Sequence, residues 1–176
     1  FWEKMLGGDF YIVHFNRQMG VADEVFAANT RQFLNNMYRT NHWQHPPVSL
    51  GPGMNMINMA TMPELADGMP GDPLMSDEDM QVFLDAFARS GFTGGINWYR
   101  NFSRNWEIIG AFEQRIYQPT LMIYGDYDMV PKSENLQDIV SDLTVQSFPC
   151  GHWIQQERPE ETNMALLDWL SKKYPA

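Results

Sequence analysis

The chain has 176 residues, 44% of them hydrophobic and 14% aromatic, which is typical of a folded globular domain rather than a disordered segment. Its formal net charge is −10, from 22 acidic and 12 basic residues. Nucleic acid and anionic membrane surfaces are bound through clustered Lys and Arg, so neither is an expected partner. A neutral or weakly polar substrate fits this charge better than an anionic one.

Two further features bear on where the protein works. Cys150 is the single cysteine, so no disulfide within the chain requires an oxidising compartment. No apolar run approaches the roughly 20 residues that span a bilayer. We therefore expect a cytoplasmic location and no membrane partner. The chain starts at Phe1 without a signal-peptide pattern, and we expect that it begins within a longer protein.

The first hundred residues predict a helical and irregular region. Asp23 to Tyr38 places its apolar residues at helical spacing. Pro46 to Pro73 is rich in Gly, Pro and Met without a clear period, which predicts loops and short turns. An acid-rich start predicts a helix from Ser76 to about Arg89. After a glycine-rich break, a helix containing Asn97 to Asn101 completes a region that we assign to residues 1–106.

The last third of the chain alternates strands and helices. The apolar runs Thr120 to Tyr124 and Leu143 to Phe148 predict buried strands. Helices are predicted for Ser133 to Val140, with Ser133 as N-cap, and from Pro159 onward. Strand, helix, strand, helix with short links is typical of an open and mostly parallel α/β sheet. We assign residues 107–176 to this α/β part.

Reactive side chains in such sheets lie on the loops at the carboxyl ends of the strands. The first of these loops carries Asp126 and Asp128, and the second carries His152. An acid and then a histidine, each after a strand, is the chain order of α/β-hydrolase triads, whose nucleophile comes earlier. A neutral imidazole serves as a base near pH 7 when a carboxylate holds its tautomer. Either group alone is also common as an ordinary surface or turn residue.

Three segments carry a more specific resemblance. Gly91 to Asn101 (GFTGGINWYRN) and Cys150 to Glu160 (CGHWIQQERPE) resemble segments of soluble-type epoxide hydrolases. Tyr11 to Phe15 (YIVHF), with Gly20 to Ala22 (GVA), looks like the segment where that family's cap begins. The segments occur in the family's order and span nearly the whole chain. The resemblance implies an α/β-hydrolase fold fragment, with a mostly helical cap followed by the C-terminal strand-helix-strand-helix part of the parallel sheet.

The resemblance also implies catalytic roles. Tyr11 and Tyr99 would donate hydrogen bonds to the epoxide oxygen, because phenols remain neutral near pH 7 and two donors can stabilise a developing alkoxide. His152 would activate water for the hydrolytic step. Asp128 would orient His152, and Asp126 stays open as an alternative acid.

Other parts of the implied mechanism involve binding. Phe15 and Trp153 would line the pocket for a small lipophilic epoxide, although plain packing explains both as well. The family's nucleophile is an Asp on a tight turn before the cap, and nothing in residues 1–118 substitutes for it. The chain would supply the acids and the hydrolytic base, and an N-terminal α/β-hydrolase segment would supply the nucleophile. No cofactor is implied.

Several alternatives stay open. His42 and His45 have a spacing that can bind a metal, but no Cys or carboxylate set completes a site, so no metal is expected. A haloalkane or haloacid dehalogenase uses the same scaffold, with halide donors such as Trp, and the two tyrosines favour the epoxide reading. A catalytically inactive cap-and-tail module and a homodimer also stay open.

Overall fold

The computed structural model describes residues 2–48 and 55–175 as a helical part followed by an α/β part. In the helical part a short antiparallel hairpin joins β1 (Arg39–Thr40) to β2 (Asp72–Pro73). The helices of this part are α1 (Trp2–Leu6), α2 (Tyr11–Arg17), α3 (Val21–Ala28), α4 (Thr30–Met37), α5 (Met56–Thr61), α6 (Asp77–Ser90), α7 (Thr93–Arg100) and α8 (Phe102–Ile109).

An aromatic cluster forms the core of the helical part. Phe26 stacks on Phe33 with ring centroids 4.0 Å apart, and Phe87 stacks on Phe92 at 4.3 Å. Phe26 and Leu34 are each only 1% exposed. Burying one such side chain contributes about 1.5–3 kcal/mol, so the helical part has a hydrophobic core of its own.

Helix α6 begins and ends where its sequence signals place it. The Ser76 hydroxyl accepts a hydrogen bond from the backbone N–H of Asp79 at 3.1 Å, and the Asp79 carboxylate accepts one from the Ser76 N–H at 3.4 Å. This reciprocal capping satisfies donors that the first turn would otherwise leave unpaired. At the other end Gly91 has a positive φ of 62°, which terminates the helix. The predicted helix is confirmed.

The helical spacing from Asp23 to Tyr38 is divided between two helices, because Asn29 separates α3 from α4. The Asn29 side chain donates to the carbonyl of Val25 at 2.8 Å, and the Thr30 hydroxyl donates to that of Phe26 at 2.9 Å. Side chains that bond to carbonyls of the preceding turn compete with the helical backbone and bend or break it. The apolar spacing is helical on both sides of the break, so the periodicity did not reveal it.

The region from Pro46 to Pro73 is more ordered than its composition predicts, although residues 49–54 lie outside the described residues. Helix α5 lies within it, capped by the side-chain oxygen of Asn55 at 3.0 Å from the backbone nitrogen two residues on. A 3-10 turn follows at Pro63–Leu65. Helix α5 packs on α4 and buries Ala60 completely, and it is too short to display a period in the sequence.

The α/β part follows the predicted order of strands and helices. Strands β3 and β4 pair in parallel, with Thr120 opposite Leu143 and Gly125 opposite Phe148. The helix predicted from Ser133 is shorter than expected, because the Ser133 hydroxyl bonds to the side chain of Asn135 at 3.3 Å instead of capping. The elements are β3 (Thr120–Gly125), α9 (Leu136–Ile139), β4 (Leu143–Phe148), α10 (Ile154–Glu157) and α11 (Pro159–Lys173).

Large apolar side chains lie exposed on two helices. Trp106 of α8 is 79% exposed, and Met164 and Leu167 of α11 are 62% and 68% exposed. Among the described residues, β3 and β4 form a ladder only with each other. Both features mark surfaces that the described residues do not cover. Within residues 2–48 and 55–175, no helix has the length and apolar character needed to cross a membrane.

Candidate active site

Asp128 and His152 meet at the carboxyl ends of the two parallel strands. The His152 Nδ1 atom lies 3.0 Å and 3.1 Å from the two carboxylate oxygens of Asp128. Gly125 ends β3 beside the His152 loop, where a Cβ atom would collide with the backbone carbonyls of Cys150 and Gly151. A glycine is therefore required for the two loops to approach this closely.

The chemistry of the pair follows from its geometry. A carboxylate can only accept a hydrogen bond, so the proton of neutral His152 is favoured on Nδ1 and Nε2 is left as the basic atom. Asp128 is also held in place, because its Oδ1 atom accepts the backbone N–H of Val130 at 2.9 Å. The side chain of Asp128 is 17% exposed, whereas that of His152 is 46% exposed. The imidazole is thus oriented on one side and open to a water molecule on the other.

Asp126, the alternative acid, has a different partner. Its carboxylate lies 2.9 Å from the Nζ atom of Lys132 at the surface. Hydrogen bonds from Lys132 and Ser147 lower the pKa of this carboxyl below its ordinary value, so it is ionised at neutral pH. The structure brings Asp128, and not Asp126, to His152.

Tyr11 and Tyr99 form a second pair in the helical part. Tyr11 opens α2 and Tyr99 lies in α7, and their rings meet edge to face with centroids 5.3 Å apart. Burial, and then the proximity of Tyr99, raise the pKa of the Tyr11 phenol above its ordinary value of 10.0. The Tyr11 hydroxyl therefore keeps its proton at neutral pH and can donate it.

Phe15 supports the two tyrosines from the core side. Its ring centroid lies 5.8 Å from those of both Tyr11 and Tyr99, and its side chain is 2% exposed. So deeply buried a ring offers little surface to a substrate in this conformation. Its observed contribution is to pack against both phenol rings and so restrict their orientation.

A partly buried ion pair joins α7, which carries Tyr99, to α3. Arg100, next to Tyr99, donates to the Asp23 carboxylate at 2.9 Å, and the two side chains are 11% and 17% exposed. The Arg100 Nε atom also donates to the carbonyl of Phe15 at 2.9 Å. Thr93 donates to the other oxygen of Asp23 at 2.5 Å. These bonds connect α2, α3 and α7 around the tyrosine pair.

Trp153 joins the two parts of the molecule. Its ring stacks on Tyr38 with centroids 4.2 Å apart, and its Nε1–H donates to the carbonyl of Met37 at 2.8 Å. Nearby, Trp43 stacks on Tyr127 of the acid-bearing loop at 4.8 Å. The segment after α4 therefore lies directly on the loops that carry Asp128 and His152.

His42 has a packing role in this joint. Its imidazole lies beside Gly151, where an added Cβ would come within 3.0 Å of the ring carbon Cε1. Residues 2–48 and 55–175 contain no group of three or more His, Cys, Asp or Glu side chains that could hold a metal ion. Packing against Gly151 thus accounts for the presence of His42 at this position.

The four predicted catalytic side chains form two separate pairs. Tyr11 contacts Tyr99, and Asp128 contacts His152. In the described part of the chain, no hydrogen bond or ring contact joins one pair directly to the other. Two phenol side chains and an imidazole oriented by a carboxylate are therefore present in one molecule at two distinct places.

Comparison with known proteins identifies the relatives. No family model matches the chain. Epoxide hydrolase A of Mycobacterium tuberculosis is 33% identical over 174 residues, which covers 92% of this chain and 52% of that protein. Bifunctional epoxide hydrolase 2 of Rattus norvegicus is 32% identical over 164 residues, covering 88% of this chain and 28% of that protein.

The fold agrees with the sequence comparison. The crystal structure of epoxide hydrolase A from Mycobacterium thermoresistibile superposes with a TM-score of 0.70 at 29% identity, covering 96% of this chain and 55% of that one. This chain is related to the epoxide hydrolases. The predicted α/β-hydrolase fold fragment and the resemblance on which it was based are both confirmed. The chain spans about half the length of its mycobacterial relatives.

Two supports of the tyrosine pair were not found from the sequence. Arg100 lies within the segment that resembles epoxide hydrolases, but its partner Asp23 is 77 residues away. The only local signal was that Asp23 stands in an acidic first turn, where helix starts favour carboxylates anyway. The residues around Asp23 explain it as part of a helix start, and they do not indicate a pairing with Arg100.

Proposed function

We propose that this chain forms the cap and the C-terminal core of an enzyme that hydrolyses a small lipophilic epoxide to a vicinal diol through an alkyl-enzyme ester. The observation that carries the proposal is the presence, in one molecule, of two tyrosine rings in edge-to-face contact and of a hydrogen-bonded His–Asp pair. Similarity to proteins named epoxide hydrolases supports it. Metal and cofactor have no part in this mechanism.

In the first step an Asp carboxylate attacks one epoxide carbon. The carbon–oxygen bond of the ring breaks as the ester bond forms, and the ring oxygen takes a proton from Tyr11 or Tyr99. Two phenols converging on that oxygen stabilise its developing negative charge as an oxyanion hole does. The raised pKa of the Tyr11 phenol keeps it available as a donor.

In the second step His152 takes a proton from water through Nε2, and the resulting hydroxide attacks the ester carbonyl carbon. The acyl–oxygen bond breaks, and the departing glycol oxygen takes the proton from the His152 imidazolium. The carboxylic acid left by hydroxide attack gives its proton to the phenolate formed in the first step, which restores both the Asp carboxylate and the tyrosine. Asp128 stabilises the imidazolium that forms in between. The half-exposed position of His152 supports this role, because a water molecule can reach its free nitrogen.

The nucleophilic Asp is proposed to lie in an α/β-hydrolase segment outside this chain. Three observations support this. The chain spans about half the length of mycobacterial relatives. Strands β3 and β4 pair only with each other among the described residues. Apolar side chains on α8 and α11 are left exposed, which is typical of a face that packs against further structure.

A pocket-lining role for Trp153 and a supporting role for Phe15 are part of the same proposal. Trp153 is partly exposed and its ring centroid lies 5.1 Å from that of His152, so its free edge would meet a substrate beside the base. Phe15 would act through Tyr11 and Tyr99, whose rings it supports. A lipophilic substrate suits this aromatic lining.

The test uses the complete protein with styrene oxide in water labelled with oxygen-18. With enzyme in excess, one turnover should give unlabelled diol, because the ester oxygen comes from the nucleophile. His152→Gln should trap the ester, seen as a protein mass increased by one epoxide. Asp126→Asn is the matched control and should turn over normally. Labelled diol in the first turnover, or normal turnover by His152→Gln, would contradict the proposal.

A second variant separates epoxide from dehalogenase chemistry. Tyr99→Phe should lower ester formation from the epoxide by about a hundredfold, the effect of losing one oxyanion donor. A 1-haloalkane serves as the comparison substrate. Halide release without epoxide turnover would instead support a dehalogenase, and no turnover of either substrate would support an inactive module.

A further inference from the structure

Glu157 is a buried carboxylate next to the His152 loop. Its side chain belongs to α10, and the residue is 8% exposed. Its Oε2 atom accepts the backbone N–H of Gly151 at 2.9 Å and the hydroxyl of Thr40 at 2.5 Å. Its Oε1 atom accepts the backbone N–H of Trp153 at 3.1 Å. One carboxylate thus binds three donors, two of them in the loop.

The two loop donors are the residues on either side of His152. Bonds to both neighbours restrict the backbone torsions that set the direction of the histidine side chain. Both bonds are made to one buried side chain, so the backbone on either side of His152 is held to the same group. On its other side the loop has no free space, because Trp43 and His42 lie against Gly151.

The third donor belongs to the helical part of the molecule. Thr40 lies in β1, 117 residues before Glu157 in the chain. Strand β1 follows Met37 and Tyr38, which bind and stack on Trp153. The same carboxylate therefore touches the cap hairpin and both neighbours of the base.

We propose that Glu157 is a positioning residue for His152, and that through Thr40 it couples the cap to the orientation of the base. Its function is to hold Nδ1 of His152 against Asp128. The proposal rests on the function proposed above for this site, but its central measurement does not require turnover.

The readout is the tautomer of His152, measured by nitrogen-15 NMR of the imidazole in the complete protein. In the parent protein the neutral ring should be mainly protonated on Nδ1, because Asp128 accepts that proton. In Glu157→Gln the amide must turn an NH2 group towards Gly151 and Thr40 or towards Trp153, so at least one of the three bonds is lost. The Nδ1–H population should then fall.

The kinetic counterpart separates the two chemical steps. Glu157→Gln should slow ester hydrolysis, which depends on His152, by about tenfold. Ester formation, which depends on the tyrosines, should change by less than about threefold. Thr40→Val removes one donor without changing the loop and should move both readouts in the same direction by a smaller amount.

The matched control is Asn36→Ala, which removes another buried polar side chain. Asn36 is 2% exposed and donates to the carbonyls of Met59 at 2.7 Å and Leu65 at 3.0 Å. Its loss should lower the melting temperature and leave the His152 tautomer unchanged. A purely structural role for Glu157 would give that same pattern and would overturn the proposal.

The outcomes remain distinguishable from failure of the proposed function. If the complete protein does not turn over epoxides, the tautomer still reports on the role of Glu157. If Glu157→Gln does not fold, Thr40→Val decides the matter alone. An unchanged tautomer in every folded variant of these two positions overturns the inference, and a reduced Nδ1–H population supports it.

Discussion

The tyrosine pair and the His–Asp pair are held in place by different means. Tyr11 and Tyr99 stand on helices α2 and α7, which pack on an aromatic core. Arg100 of α7 donates to the carbonyl of Phe15 in α2 and pairs with Asp23 of α3. His152 stands on a loop at the edge of a two-strand ladder and is 46% exposed. The first pair is positioned by contacts within the helical part, whereas the second is positioned by hydrogen bonds to its loops and by the segment that lies on them.

This difference shows how the two proposed steps depend on their surroundings. Support for the tyrosines lies on α2, α3 and α7, within the helical part. Support for His152 comes from both parts, through Trp153 and through the rings of Trp43 and Tyr127. Substitutions within the helical part should therefore affect the positions of Tyr11 and Tyr99. Substitutions at the joint between the two parts should affect the position of His152.

The largest effect is expected from Asp128→Asn. The amide can present NH2 to Nδ1 and so favour the wrong tautomer, which in other triads costs a thousandfold or more, so we expect ester hydrolysis to slow by roughly a thousandfold. Single-turnover kinetics on the complete protein would measure this. Asp126→Asn, which loses only a surface partner, should stay within about twofold of the parent. An equal loss in both variants would mean that the acid has been misassigned.

The next largest effect concerns the support of the tyrosines. Arg100→Met leaves the Asp23 carboxylate without its charge partner, and removing one partner of this partly buried pair should cost about 1–3 kcal/mol of unfolding free energy. Urea denaturation would measure it. Arg17→Met breaks an exposed pair with Glu3, whose side chains are 57% and 54% exposed, and serves as the control. A similar loss from both substitutions would argue against a special role for the buried pair.

A smaller effect is expected at the joint between the two parts. Trp153→Phe keeps an aromatic ring on Tyr38 but leaves the carbonyl of Met37 without its donor, at a cost of about 1 kcal/mol. Hydrogen exchange should quicken in the segment around β1 and remain unchanged in α6. Trp98→Phe, at a position that is 72% exposed, is the control and should change neither. Faster exchange throughout the helical part would mean that Trp153 supports the whole core.

The smallest effect concerns acid stability. Burial raises the pKa of Asp23, but hydrogen bonds from Thr93 and Arg100 and the charge of Arg100 outweigh it, so the pKa lies below its ordinary value of 3.8. A lowered pKa stabilises the fold above that ordinary value, and this stability is lost as the pH falls through the folded pKa. Thermal melts from pH 6 to pH 2.5 should therefore fall less steeply for Asp23→Asn below about pH 4. Parallel curves would exclude this contribution.

Local signals predicted the parts of the fold that local interactions determine. The capping sequence at Ser76 gave the start of α6, and the two apolar runs gave β3 and β4, because each signal acts within a few residues. The break at Asn29 was missed because a side chain bonding to the preceding turn leaves the apolar spacing intact. Helix α5 was missed because it depends on packing against α4.

The candidate site divides in the same way. Asp128 and His152 could be placed because parallel strands bring their following loops to one edge. The tyrosines were found by resemblance to a family and not from the pattern of residues. The bonds from Arg100 to Asp23 and from Thr40 to Glu157 join positions 77 and 117 residues apart. The sequence around each residue contains no pattern that indicates its partner.

Gly125 sets a limit on how this protein could be altered for other substrates. Any side chain there would meet the carbonyls of Cys150 and Gly151 and force the two loops apart, and with them Asp128 from His152. Gly94 and Gly95, in the segment that carries Tyr99, have open space around the position of a Cβ. A library of substitutions can therefore include Gly94 and Gly95 and should leave Gly125 unchanged, because the approach of Asp128 to His152 requires that position 125 carry no side chain.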